Sequence, residues 1–271
     1  MLPPTPAELV DDLIAAGVKK SKYPLDQLLI RGIYSGLLLG IATTLSVTVA
    51  VESAMPFLGA LAFPVGFVMI MILGTELVTG NFAVLPMAYT QGEIKMAGLL
   101  KNWRWVIIGN FLGCISYAIL FSIYISKFGH VENSAVIAKV IAIAEGKTLA
   151  YQKIGYAGLI VLLIKAIICN WMVSMGVVMA FVAKTIPGKI FAIWMPIFTF
   201  FALGLEHCIV NMFVIPAGMF LGADISIYQW LCWNQIPAII GNIIGAMFLT
   251  GWFLQKMHGS PKSTSAASAE A

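Results

Sequence analysis

Residues 204–211 read Gly-Leu-Glu-His-Cys-Ile-Val-Asn, and residues 74–81 read Gly-Thr-Glu-Leu-Val-Thr-Gly-Asn. The two segments share one glycine, one glutamate and one asparagine at the same spacing. A second pair of segments, 102–113 and 234–245, repeats at nearly the same offset and shares two asparagines and two glycines. Two matches in the same order indicate that the chain contains an internal duplication.

The composition around these segments is strongly apolar. Hydrophobic residues make up 60% of the 271 residues, charged residues make up 10%, and the mean hydropathy is +0.94. A soluble domain carries roughly 25% charged residues. This composition excludes a disordered chain, a nucleic-acid-binding domain and an ordinary cytosolic enzyme, and it predicts a polytopic membrane protein.

Sparse charges divide the chain into apolar runs, each long enough to cross a bilayer with roughly 20 residues. Four runs suit one straight helix each: 32–51, 105–126, 154–183 and 225–255. Two longer runs, 53–92 and 190–223, contain the repeated glutamates and lack a polar hairpin. A helix broken inside the membrane fits such a run, because irregular backbone is tolerated where protein or a cavity surrounds it.

The sequence therefore predicts an all-α membrane protein with six transmembrane helices, of which the second and fifth spans are broken. Each half, at about 32–127 and 154–255, contains three spans, so the second copy enters the membrane from the opposite side. Such a 3+3 inverted repeat places a pore or binding site between the halves, near the midplane. The N-termini of the broken helices attract anions there.

The flanking segments complete the predicted organisation. Residues 1–31 form an N-terminal amphipathic helix, expected over 3–29, that lies at the membrane surface or against a neighbouring subunit. Residues 32–255 form the transmembrane domain, and residues 256–271 form a disordered tail. Most basic residues fall on the side of the termini, which predicts an integral protein of the plasma or inner membrane with both termini cytoplasmic.

The breaks carry the candidate functional residues. His207 is the one histidine within a span, and it is expected to pass a proton to a bound weak acid because imidazole titrates near neutrality. Thr79 stands where the other repeat has Ile209, and its hydroxyl is expected to donate to an anion or to His207. His207, Thr79 and Asn211 form the predicted pore centre.

Glu76 and Glu206 occupy equivalent positions, which favours an architectural role over a proton carrier. Each carboxylate is expected to accept backbone N–H groups that the break frees, or to pair with a neighbour. Asn81 and Asn211 are expected to cap the half-helices that follow. Lys165 lies inside the fourth span and is interpreted as a tie between helices.

At these residues the chain resembles the formate/nitrite transporter family. The matching motifs are G-T-E-L-V-T-G-N (74–81), K-N-W with G-N-x-x-G (101–113), C-N-W-M-V (169–173) and G-L-E-H-x-x-x-N-M-F-x-I-P-x-G (204–218). The resemblance implies a homopentamer in the lipid bilayer. Each protomer would have its own aquaporin-like pore for small monovalent anions of weak acids.

The resemblance also implies apolar constrictions on both sides of the pore centre. Leu77 and Phe67 match the constriction on the cytoplasmic side, and Phe63 and Phe200 match the external one. It implies an anion-attracting lysine at each mouth as well, Lys20 inside and Lys147 outside. Lys153 is an alternative for the outer lysine, because the connection that leads to C-N-W is longer here than in the usual family pattern.

The predicted function is a passive or proton-linked channel for formate or nitrite, with protons and small anions as its partners. Related substrates are hydrosulfide, lactate, acetate and bicarbonate. A facilitator of water, glycerol or ammonia is the alternative from another class. No enzymatic activity, cofactor, metal site or nucleic-acid partner is expected, because the spans show no nucleophile–base pair and no cluster of metal ligands.

Overall fold

The computed structural model describes residues 2–131 and 134–259, and within these ranges it is helical with no strands. In these residues four continuous spans, two broken spans of two helices each and three further helices follow one another along the chain. The helices are α1 (Pro6–Ser21), α2 (Leu25–Glu52), α3 (Pro56–Leu73), α4 (Val78–Thr90), α5 (Met96–Ser126), α6 (Ala135–Lys147), α7 (Leu149–Ile154), α8 (Tyr156–Val182), α9 (Ile186–Ala202), α10 (Cys208–Phe220) and α11 (Ile227–His258).

Six spans cross the molecule, and the second and fifth are broken as predicted. In the described residues α2, α3, α5, α8 and α11 are long and apolar enough to cross a membrane, and α9 and α10 are shorter apolar helices. The breaks lie at residues 74–77 and 203–207. Gly74 and Gly204 begin them with φ of 64° and 60°, a left-handed conformation that ends a helix and favours glycine.

The two halves repeat the same packing. Helix α2 lies along α5 in the first half, and α8 lies along α11 in the second. Helix α1 packs on the half-helix α4, and α6 packs on the equivalent half-helix α10. The duplicated unit is therefore larger than the three spans, because each copy also has a helix that covers its broken span.

The N-terminal helix differs from the prediction in length and in position. It ends at Ser21 rather than near residue 29, because Pro24 disfavours helical backbone at Tyr23 and starts α2. Its apolar residues Val10 and Leu13 are buried against the rest of the chain, a position that was not predicted, whereas its place at the membrane surface or beside a neighbouring subunit stays a prediction. At the other end α11 continues through His258, and residues 260–271 of the predicted tail lie outside the described residues.

Glycines bring the paired spans close together. A Cβ atom on Gly113 would lie 2.1 Å from the carbonyl oxygen of Ile33, and one on Gly245 would lie 2.1 Å from that of Ile167. Side chains cannot occupy such positions unless the helices separate. The glycines spaced by four residues are thus packing residues, as small residues commonly are between membrane helices.

We expect Gly113→Ala to destabilise the folded protein by about 1–3 kcal/mol, because the added methyl group overpacks the contact between α2 and α5. Gly98→Ala on the same helix is the matched control, since its nearest neighbour would be 3.6 Å away. Thermal unfolding in detergent, followed by size-exclusion chromatography, measures both variants. Equal midpoints for the two variants would contradict the packing account.

Candidate functional site

Two cavities open at the two breaks, on opposite sides of the pore centre. The first cavity, of about 580 Å³, is bounded by α1 and the first break, and Phe67 and Leu77 are among its lining residues. The second cavity, of about 510 Å³, is bounded by α6 and the second break, and Phe200 and His207 are among its lining residues. Each predicted constriction therefore has at least one side chain at a cavity wall.

Thr79 and His207 meet between the cavities. The Nε2 atom of His207 lies 3.1 Å from Oγ1 of Thr79, and both residues are buried. The backbone N–H of Val210 donates to Nδ1 of His207 over 3.2 Å. Because Nδ1 accepts this bond, a neutral imidazole carries its proton on Nε2 and donates it to Thr79. The hydroxyl proton of Thr79 is then available to another acceptor.

A closed ring of side chains holds the first break. Lys20 donates to Oε1 of Glu76 over 2.6 Å, and Asn81 donates to Oε2 over 2.7 Å. Asn81 also donates to Oδ1 of Asn102 over 2.8 Å, and Asn102 donates to the carbonyl oxygen of Lys20 over 3.0 Å. The ring joins α1, the break, α4 and α5, so the break is anchored on several sides.

The same ring recurs at the second break. Lys147 and Asn211 donate to Oε2 of Glu206 over 2.9 and 2.8 Å. Asn211 donates to Asn234 over 2.8 Å, and Asn234 donates to the carbonyl oxygen of Lys147 over 2.9 Å. Asn211 thus belongs to this ring, and its place at the pore centre stays a prediction, since Asn211 and Thr79 both lie outside the lining of the two cavities. The glutamates were expected either to accept backbone N–H groups or to pair with a neighbour. In the structure each carboxylate pairs with a lysine.

Tyr151 adds a member to the second ring alone. Its hydroxyl donates to Oε1 of Glu206 over 2.9 Å, and it lies on the short helix α7 of the long connection. Burial, together with the Glu206 carboxylate, raises the pKa of Tyr151, so the hydroxyl remains a donor at neutral pH. No feature of the sequence indicated this residue beyond the extra length of the connection.

The half-helices are capped from neighbouring spans rather than by Asn81 and Asn211. Asn110 of α5 accepts the N–H of Val78 over 3.0 Å, and Asn242 of α11 accepts the N–H of Cys208 over 2.8 Å. Asn81 and Asn211 do not act as caps, because they lie within the first turn of α4 and of α10, after the cap positions Leu77 and His207, and their side-chain NH2 groups donate to the glutamates. The repeated G-N motif carried the signal for Asn110 and Asn242, but sequence reasoning assigned them no role.

Aromatic side chains surround the second cavity at its inner end. Phe200 stacks on His207 with ring centroids 5.5 Å apart. Phe63 meets Phe200 edge-on at 5.6 Å and stacks on Phe201 at 3.9 Å. Phe63 is fully buried behind Phe200 and is not a lining residue of either cavity. Of the predicted external constriction, Phe200 is the side chain that faces the cavity.

The predicted mouth lysines fall at the cavities. Lys20 lines the first cavity and Lys147 lines the second, whereas Lys153 is exposed and lines neither. Lys165 also lines the second cavity. The predicted tie from Lys165 to another helix is not formed, since no side-chain hydrogen bond or salt bridge of Lys165 occurs in the part of the chain that the structure describes.

Six helical spans, two opposed breaks and a buried polar pair between two cavities define a membrane transport protein built on an inverted repeat. Residues 7–255 match the sequence model of the family described as formate/nitrite transporter, and the chain belongs to that family. Its members are channels and transporters rather than enzymes.

The matches to similar proteins cover almost the whole chain. The uncharacterized transporter YrhG of Bacillus subtilis is 36% identical over 91% of this chain and 90% of its own length. The formate channel BtFdhC of Bacillus thuringiensis is 33% identical over 95% of this chain and 98% of its own length. The solved structure of a pentameric formate channel with formate bound has a TM-score of 0.71 at 23% identity, and the match covers 86% of this chain and 97% of that one. This structural likeness establishes the shared fold.

We expect Glu206→Ala to reduce the yield of folded protein, because the partly buried Lys147 would lose its counter-charge and the buried donors of Tyr151 and Asn211 would lose their acceptor, at a cost of about 1–3 kcal/mol for each donor left unpaired. The double variant Lys147→Met with Glu206→Gln removes both charges and should recover much of that yield. Glu93→Ala is the control, since Glu93 is exposed.

The measurement is the amount of monodisperse protein after extraction into detergent. The ring account fails if Glu206→Ala assembles as well as Glu93→Ala does.

Proposed function

We propose that the protein is a channel for a small monovalent anion of a weak acid, formate or nitrite, and that it works as a homopentamer with one pore in each protomer. The contact between Thr79 and His207 carries this proposal, because it sets a hydrogen-bond donor between two cavities that open on opposite sides. The named formate channel among its relatives, and the pentamer with the same fold, support the substrate and the assembly.

Charge supports an anion as the solute. Positive side chains outnumber negative ones in both cavities, and a cleft with an excess of one sign raises the local concentration of the opposite ion. The first cavity has Lys19, Lys20, Lys184 and Lys189 against Asp12 and Glu76, and the second has Lys139, Lys147 and Lys165 against Glu206. Lys20 and Lys147 act at short range, because each ammonium group has donors beyond the one that its glutamate accepts.

Apolar side chains between the cavities oppose the passage of a bare charge. Phe67 and Leu77 lie on one side of Thr79, and Phe200 lies on the other. An ion without a partner in such surroundings is heavily penalised. We infer that the anion crosses together with a proton, and that the Thr79 hydroxyl donates a hydrogen bond to it on the way.

The hydrogen bonds of His207 favour water in the cavities as the source of that proton. If His207 gave up a proton and regained it through Nδ1, the ring would lose the bond that caps Val210. A neutral His207 that orients Thr79 keeps that bond. The proton shuttle expected from the sequence is thus the weaker of two accounts, and both predict transport that depends on pH.

The membrane orientation follows the distribution of basic residues. With both termini in the cytoplasm, the first cavity faces the cytoplasm and the second faces the outside of a plasma or inner membrane. Hydrosulfide, lactate, acetate and bicarbonate share the chemistry of the proposed substrates, and the width of the pore decides among them. A facilitator of neutral solutes would have no need of the excess positive charge.

Uptake into proteoliposomes tests the proposal. Purified protein should accelerate uptake of formate and nitrite above that of protein-free vesicles, with faster uptake at lower external pH and at lower ionic strength. Lactate, acetate, glycerol and water are measured beside them. Acceleration of glycerol or water without acceleration of any weak acid would replace the anion channel with the neutral-solute alternative.

We expect His207→Asn to slow formate uptake and to preserve its dependence on external pH between pH 5 and 8. Asparagine is a good cap for Val210 but holds Thr79 less firmly and does not titrate. Thr79→Val, which removes the donor and keeps the shape, should slow uptake at every pH.

Initial rates in proteoliposomes at a series of pH values measure both variants, with assembly checked by chromatography. A flat pH profile in His207→Asn, against a sloping one in the wild type, would restore His207 as the proton carrier.

A further inference from the structure

Arg31 and Lys165 occupy equivalent positions in the two repeats. The residues that follow them, Gly32 and Ala166, each present a carbonyl oxygen to an equivalent asparagine: Asn110 donates to Gly32 over 2.9 Å, and Asn242 donates to Ala166 over 2.8 Å. The backbone is therefore matched at this point. The duplication placed one cation in each half beside its break.

The side chain of Arg31 has a structural role at the first break. Its Nη1 atom donates to the carbonyl oxygen of Gly74 over 2.7 Å, at the point where α3 ends at the first break. Its guanidinium lies 4.7 Å from the centre of the Tyr23 ring. Arg31 lines neither cavity. In this half the cation satisfies a backbone carbonyl that the break leaves without an intrahelical partner.

The side chain of Lys165 makes no hydrogen bond and no salt bridge among the described residues. It lines the second cavity together with Gly204, the counterpart of Gly74, but makes no hydrogen bond to it. It lies in the membrane-spanning helix α8 and is partly buried. An ionisable side chain within a span is costly unless a counter-charge or water compensates it.

The position of Lys165 along α8 is close to the level of the pore centre. Asn170, five residues further, donates to the carbonyl oxygen of Thr79 over 3.1 Å. Five residues correspond to about 7.5 Å along a helix axis. Lys139, which also lines the second cavity, is exposed, and Lys147 is already balanced by Glu206. Lys165 is a partly buried cation of this cavity, and among the described residues no carboxylate lies within salt-bridge distance of it.

We infer that Lys165 is a specificity-determining residue that holds the substrate anion in the second cavity before the anion enters the centre. The substrate supplies the counter-charge that the protein does not provide at this position. The inference rests on the proposed function, and it assigns the holding step to Lys165 rather than to the paired Lys147. The ligand is a small monovalent anion, because Lys165 is the one partly buried cation of the cavity without a paired carboxylate in the described chain, and it lies beside an apolar entrance.

Three variants in proteoliposomes test this role. Lys165→Met keeps the length of the side chain without its charge, Lys165→Arg keeps the charge, and Lys153→Met removes an exposed lysine that lines neither cavity. At low salt and low formate concentration, Lys165→Met should lower the initial rate of formate uptake about tenfold. The formate concentration that gives half-maximal uptake should rise. Lys165→Arg should retain most of the wild-type rate, and Lys153→Met should match the wild type.

A charge added after folding separates electrostatics from assembly. Lys165→Cys, reconstituted and then treated with aminoethyl methanethiosulfonate, regains a positive charge and should regain formate uptake, whereas a neutral methanethiosulfonate should restore none. The wild type treated with the same reagents controls for the native cysteines. Equal uptake by wild type and assembled Lys165→Met, or no recovery with the charged reagent, would overturn the role of Lys165 while leaving the anion channel intact. A wild-type protein that moves no anion would instead reject the proposed function.

Discussion

A buried carboxylate in each break is the constraint on which the rest of the structure depends. Glu76 and Glu206 are each 1% exposed, and an unpaired charge in such a place costs several kcal/mol. Each is therefore surrounded by a lysine and asparagines from other helices. The two rings fix α1 over the first break and α6 over the second, and these helices form the outer walls of the two cavities. The shape of the two cavities therefore depends on the hydrogen bonds and ion pairs that stabilise the two buried carboxylates.

We propose that the function resides where the two repeats differ. The shared ring and the shared asparagine caps make the breaks alike, but Thr79 faces His207 between the cavities, and their counterparts in the other repeat are the apolar residues Ile209 and Leu77. Tyr151 donates to the glutamate of the second ring alone. Lys165 is the counterpart of Arg31, whose side chain donates to a backbone carbonyl. In this account the duplication provides the common framework, and the differences between the repeats provide a donor and a cation along the proposed path.

The sequence predicted the frame well, because its signals are local. Both breaks were predicted from apolar runs that are too long for one span and contain no polar hairpin. The internal repeat showed that the two breaks are equivalent. The rings could not be predicted in the same way, because Lys20 and Glu76 are 56 residues apart and their contact depends on how α1 folds over α4. The place of Asn211 in the second ring was not predicted for the same reason, because its amide donates both to Glu206 and to Asn234 of another helix. The role that we propose for Lys165 could not be predicted, because the sequence does not show that this cation lines a cavity and pairs with no carboxylate among the described residues.

The central claim is that the anion crosses the apolar centre together with a proton, so that no net charge moves. The most direct measurement follows formate uptake and internal pH together in proteoliposomes whose membrane potential is set by potassium and valinomycin. We expect one proton to enter with each formate ion and the rate to be the same at either sign of the potential. Uptake that follows the potential, with no accompanying change in internal pH, would show that the bare anion crosses and would contradict this account.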